Sequence, residues 1–256
     1  MNVRPGVQRA LSVIAGAALN ALAASVLAAP PGAQATARPS TEAARPLRSD
    51  SASLALLERS AAAYQSARTL RAEFSQALTN PRTGTVLRST GEFFQRGAQR
   101  FAFRFSDPTE DRIVADGAVL WLYLPSTAKG QVLKMPRAAG AGLDLAASVL
   151  REPAKRYTVT ALGDTSIDGR SVSAVKLVPR SADATFTRGT LWIDVANALV
   201  RRAEFTEATG LIRTLQFGRI RTGTTLPKGV FTFTPPAGVR VIDQAALLGG
   251  SVPRTR

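Results

Sequence analysis

The sequence predicts a mostly β, α+β domain: a leading helix followed by about ten or eleven short antiparallel strands, the pattern of a barrel or a sandwich. Three observations predict it. The apolar spacing changes from three-and-four to two after Thr69. Turn-forming pairs recur down the chain at Asp116-Gly117, Asp168-Gly169, Ala196-Asn197 and Thr209-Gly210. No internal repeat of fixed period is present.

The first residues are expected to lie outside the domain. Arg4 and Arg9 precede an apolar, alanine-rich run over 10–29, and small residues follow. Positive, apolar and small, in that order, is the layout of a secretory signal peptide, here 1–35 with cleavage after Ala35 or Ala37. A membrane anchor is the alternative, but the run is mostly alanine with Asn20 inside it, so its insertion is weakly driven. Residues 36–49, rich in Ala, Pro, Arg and Ser, read as a flexible linker. The domain is expected over 50–246 and a disordered tail over 247–256.

A helix capped near Ser49 or Asp50 carries Leu54, Leu57, Ala61 and Tyr64 on one stripe and stops by Arg68. Leu70, Ala72, Phe74, Gln76 and Leu78 then alternate with polar residues. Asn80 to Gly84 is a turn. Extended segments follow at 86–95, 100–105, 112–115, 119–124, 156–162, 172–179, 187–195, 199–207, 211–221 and 231–234. In the strand at 100–105, Phe101, Phe103 and Phe105 face one way and Arg100, Ala102 and Arg104 the other. Residues 138–152 break the rhythm. Leu143, Ala146, Val149 and Leu150 fall in helical register, with Pro153 as the stop, so a short apolar helix is placed to cover the open side of the sheet.

Composition excludes much chemistry. The chain has 256 residues, no Cys and no His. Zinc sites built on those residues and triads with a His base are therefore impossible, and no cofactor or metal is expected. No amino-terminal cysteine is available for lipidation either. The acidic residues sit mostly at turns and outward strand positions, with no metal spacing, and no glycine loop suits phosphate, so an enzyme is not expected. The net charge of +15 favours anionic partners, and the spread of Arg over outward positions suggests a solvated exterior. Nucleic acid is not expected as a partner, because alternation separates the phenylalanines from the arginines instead of pairing them on one stacking face.

The apolar content remains. Residues 119–124 are apolar on both faces, so one face needs a cover. Phe74, Phe93, Phe101, Phe103, Phe105, Trp121, Trp192 and Phe205 either fill a core or line a cavity wide enough for an oily ligand.

Four motifs, in order, resemble the LolA family of periplasmic lipoprotein carriers. They are Phe74-x-Gln76; Gly91-Glu92-Phe93 leading to Phe101-x-Phe103 and Pro108; Asp116-Gly117 through Leu120-Trp121 and Tyr123 to Pro125; and 231–244 (FTFTPPAGVRVIDQ). The resemblance spans about 50–245. It implies an unclosed antiparallel β-barrel of about eleven strands, with short helices forming a lid over a hydrophobic cavity. It implies a periplasmic monomer that takes the acyl chains of lipoproteins from an inner-membrane ABC transporter and hands them to an outer-membrane acceptor. Phe101, Phe103, Trp121 and Tyr123 match the family's aromatic positions. With Phe74, Phe93, Phe105, Leu143, Val149, Leu150, Trp192 and Phe205 they form the expected cavity lining. Where many members place a lid-latching Arg, this chain has Gly97, which leaves Arg96 or Arg100 as the substitute, with Arg96 the latch candidate. A periplasmic regulatory module that binds anti-sigma factors has a similar half-barrel and is the alternative; it usually carries a further domain, for which the residues after Gln244 leave no room.

Overall fold

The computed structural model describes residues 50–97, 99–136, 149–182 and 184–244. Residues 1–49, with the expected signal peptide and linker, and the expected tail lie outside them.

Helix α1 (Ser51–Ser66) starts where the cap predicts: the Asp50 carboxylate accepts from the Ala52 N–H and the Ser53 hydroxyl. Its buried residues are Ser53, Leu57, Ser60 and Tyr64, with Leu54 and Ala61 half-buried at the edge. The stripe is thus rotated slightly from the one expected. The Asp50 N–H donates to the Val159 carbonyl, which ties the helix start to the sheet.

Among the described residues twelve strands follow: β1 (Thr69–Thr79), β2 (Val86–Arg96), β3 (Arg100–Asp107), β4 (Arg112–Ala115), β5 (Val119–Tyr123), β6 (Gln131–Pro136), β7 (Tyr157–Ile167), β8 (Arg170–Pro179), β9 (Phe186–Asp194), β10 (Val200–Glu207), β11 (Ile212–Thr222) and β12 (Arg240–Asp243). All lie in one sheet, ordered β12-β6-β5-β4-β3-β2-β1-β11-β10-β9-β8-β7. Two antiparallel meanders, β1–β6 and β7–β11, are joined by the long β1–β11 pairing. Edge strands β12 and β7 do not pair with each other, so the sheet is unclosed, as the fold class expected.

Three details differ from the sequence-based expectation. Strand β6 is an addition to the expected segments. Residues 231–234 are not a strand, and the last strand is instead β12, which runs parallel to β6. Pro153 opens a helical turn, α2 (Pro153–Arg156), an addition to the expected elements. The expected helix at 138–152 lies mostly outside the described residues.

The parallel placement of β12 has a cause in the chain's path. After β11 the chain must cross the sheet to reach β6, and it crosses on the outer face. Leu226, Val230 and Phe231 bury against Phe94, Ala102 and Val114, with Trp121 and Phe233 packed beside them. This strap is the cover that the doubly apolar β5 requires.

A polar knot fixes the other half. Asp194, 1% exposed, accepts from Arg201, Arg170 and the N–H groups of Ala196 and Asn197. Burial alone would raise its carboxyl, but the Arg201 and backbone donors outweigh that and hold it below the usual range. Its stabilisation is therefore present above the ordinary carboxylate pKa and lost as pH falls through the lowered one.

Gly91 explains why one motif needs glycine. A Cβ there would overlap the Arg104 carbonyl oxygen and lie 2.8 Å from the Phe105 Cα, beside a register shift between β2 and β3. Backbone cannot yield as a side chain can. Gly91→Ala is expected to lower the unfolding free energy by about 1–3 kcal/mol. Gly218→Ala, with nothing within 4 Å, should change it by less than ~0.5 kcal/mol. Urea melts of the two variants check the contrast.

Candidate functional site

Strict alternation sends one side chain in two to the inner face of the sheet. On β1 these are Leu70, Ala72, Phe74, Gln76 and Leu78; on β3 they are Phe101, Phe103 and Phe105. The rings meet. Phe74 stands edge-on to Phe103 at 5.1 Å and to Phe105 at 5.2 Å, while Phe93 lies 4.8 Å from Phe103 and 5.5 Å from Phe217. A second chain of rings, Tyr157–Phe186–Phe205, lines the β7–β10 half at 5.7 and 4.8 Å. Helix α1 and the buried pair Val149 and Leu150 lie over these rings in the same cluster.

Thus Phe74, Phe93, Phe101, Phe103, Phe105, Phe205, Val149 and Leu150 come together on the inner face. Leu143 lies outside the described residues. Phe186, Phe217 and Tyr157 belong to the same surface and are additions to the expected lining. Phe217 is legible as an inward position by its two-residue spacing from Leu215, whereas Phe186 precedes the expected 187–195 segment and strict alternation from Leu191 and Ile193 would turn it outward.

The two tryptophans and Tyr123 are corrections. On β5, Leu120 and Leu122 point inward, so Trp121 and Tyr123 point outward and rest on Phe233 at 5.7 and 5.6 Å. On β9, Leu191 and Ile193 point inward and Trp192 outward, where the Arg202 guanidinium sits 4.9 Å from its ring. Aromatic content alone assigns no face to a ring. Arg96 is corrected for the same reason. It shares the outer face with Phe94, and its guanidinium lies over Phe231 at 5.4 Å, holding the strap and not a lid on the inner side.

At one end the inner face opens into a recess of about 240 Å³. Its walls are Leu78, Leu87, Phe105, Pro108, Ile113 and Leu124, and its polar groups are Gln76, Arg88, Ser89, Asp111, Ser126, Thr127 and Arg213. That is below the ~300–1,000 Å³ of a pocket that encloses a whole small ligand, so it suits part of a larger one. Leu87, which lines it, is half exposed to solvent. Asp111 is buried and accepts from the Ser126 N–H at 3.1 Å and the Ser126 hydroxyl at 2.6 Å. Burial raises its carboxyl despite those two bonds. Among the described residues no group of three or more Asp or Glu side chains is placed to hold a metal ion.

The family model described as outer membrane lipoprotein carrier protein LolA matches residues 65–234. The chain belongs to the LolA family. The outer-membrane lipoprotein carrier protein of Methylibium petroleiphilum is 31% identical over 179 residues, covering 69% of this chain and 84% of that protein. The protein of the same name from Albidiferax ferrireducens is 32% identical over 183 residues, with 68% and 84% covered. An uncharacterised conserved protein from Thermus thermophilus shares the fold, with a TM-score of 0.50 at 14% identity over 75% of this chain and 99% of its own. The LolA match spans the whole of β1 to β11 and runs through the strap to residue 234.

Because the folded Asp111 pKa is raised, its favourable contribution is present below the ordinary carboxylate pKa and is lost as pH rises through the raised one. Asp111→Asn keeps an acceptor for the Ser126 N–H without the buried charge. Its stability relative to the parent is expected to improve between about pH 3.5 and about pH 7, staying within ~1 kcal/mol of it at the upper value. Urea midpoints at the two pH values decide it; a relative loss with rising pH contradicts the assignment.

Proposed function

We propose that this protein is a periplasmic carrier that shelters the acyl chains of lipoproteins against the aromatic inner face of its half-barrel. It acts by binding and not by catalysis. The observation that carries the reading is the inner face itself: rings contributed by β1, β2, β3, β7, β9, β10 and β11 line one side of an unclosed sheet. The names of the curated relatives point to the same cargo.

The ring packing sets the energetics. Each ring pair contributes about 0.5–1.5 kcal/mol beyond its buried area. Acyl chains gain about 0.8 kcal/mol per methylene removed from water. Chains that part the rings therefore gain their own burial and lose part of the ring contacts, so net affinity is well below the gross transfer energy. A carrier that bound at the full gross value would not release. The opposed closure of rings and cover makes transfer to a tighter binder downhill. On this reading the chains come from an inner-membrane lipoprotein-releasing ABC transporter and pass to an outer-membrane acceptor, and the carrier works as a monomer. The expected signal peptide at 1–35 would deliver it to the periplasm.

In detergent-free gel filtration the purified protein is expected to co-elute with a diacylglyceryl-cysteine peptide and to leave the unacylated peptide in the small-molecule volume. An acylated peptide that stays in void-volume aggregates with the folded protein present contradicts the proposal.

A further inference from the structure

A row of polar side chains crosses the inner face where an apolar surface is expected. Glu207 on β10, Arg213 on β11, Gln76 on β1 and Ser89 on β2 lie on four neighbouring strands and are joined in sequence. Arg213 donates through Nε and Nη2 to Glu207 Oε1 at 3.1 and 2.8 Å, and through Nη1 to Gln76 Oε1 at 3.2 Å. Gln76 Nε2 donates to the Ser89 hydroxyl at 3.2 Å. The Arg213 and Glu207 side chains are only 11% and 10% exposed, and Ser89 is buried. Burying such a row costs desolvation that an apolar lining would avoid, so it calls for a purpose.

The row ends at the recess on one side and in an unsatisfied carboxylate oxygen on the other. Ser89 Oγ accepts from Gln76, and its own proton has no acceptor among the described residues. Glu207 Oε2 is buried with no hydrogen-bond partner among them. A buried carboxylate oxygen without a partner is rare in a folded interior. Gln76, Ser89 and Arg213 line the apolar recess, directly beside Phe105 and Leu78. The arrangement presents a hydroxyl donor at the end of an oily surface, with Arg213 neutralised by Glu207. A neutral acceptor suits it better than an anionic head.

We propose that this row is a subsite for the neutral ester or amide junction at the root of the acyl chains, with a junction carbonyl accepting from the Ser89 hydroxyl. This rests on the carrier reading above and deepens it. The hydrocarbon lies along the phenylalanines, and the junction at the recess fixes how deep the chains run. Arg213 acts as a positioning residue: it orients the Gln76 amide, and Gln76 leaves the Ser89 proton to point into the recess.

The test compares a diacylglyceryl-cysteine peptide with its dialkyl ether analogue, identical in chain length but lacking the ester carbonyls, in equilibrium binding to the purified protein. The parent protein is expected to bind the ester about tenfold more tightly, as one buried hydrogen bond gives. Ser89→Ala should lose that preference and keep its affinity for the ether. The double variant Arg213→Met with Glu207→Met, which leaves no unpaired buried charge, should do the same, with circular dichroism confirming the fold of both. Equal binding of ester and ether by the parent, or an undiminished preference in Ser89→Ala, overturns the subsite and leaves the carrier reading standing. Tighter binding of a phosphatidic acid of the same chain length than of the ester also overturns it. Binding of neither acyl compound overturns the carrier reading and the subsite together.

Discussion

Everything in this molecule follows from one constraint: a single twelve-stranded sheet must keep its apolar inner face out of water without closing into a barrel. A closed barrel buries its interior with its own wall. Here the edges β12 and β7 stay apart, and the inner face is covered from outside the sheet by α1 and by Val149 and Leu150. Cover supplied by separate segments can be displaced without breaking a strand pairing. On the carrier function proposed above, that separation would divide ligand access from fold stability.

The outer face shows the same logic with a fixed solution. The strap at 226–233 is held by aromatic contacts to Trp121 and Tyr123 and by the Arg96 guanidinium over Phe231. It continues into β12, which pairs with β6 and adds the Lys134–Asp243 ion pair. The strap is thus anchored at both ends, so its apolar cluster is structural. The two apolar surfaces of one sheet have different covers, one sewn in by strand pairing and the other lying over the rings.

Alternation and turn chemistry make most of the strands legible from the residues, because Phe101, Phe103 and Phe105 have only one way to face when they alternate with Arg100, Ala102 and Arg104. The start of α1 is legible in Asp50 for a similar local reason. What is not legible depends on which side of the sheet the rest of the chain runs. Trp121, Tyr123 and Trp192 are as apolar as the inner rings, and only their strand parity and the strap's path place them outside. Strand β6 carries Gln131 and Lys134 among its apolar residues, a pattern too mixed to announce a strand. The row from Glu207 to Ser89 draws on four strands distant in sequence, so spacing could not reveal it.

The central claim, that acyl chains lie against the inner face, is tested most directly by a tryptophan placed at the recess. Phe105→Trp on a background of Trp121→Phe and Trp192→Phe leaves one tryptophan, on the inner side, since the chain holds two. The companion variant Trp121→Phe keeps only the outward Trp192. With a diacylglyceryl-cysteine peptide carrying brominated acyl chains, emission from the inner tryptophan should be strongly quenched and emission from Trp192 should not. Equal quenching of the two, or quenching of Trp192 alone, would place the chains elsewhere and contradict the account.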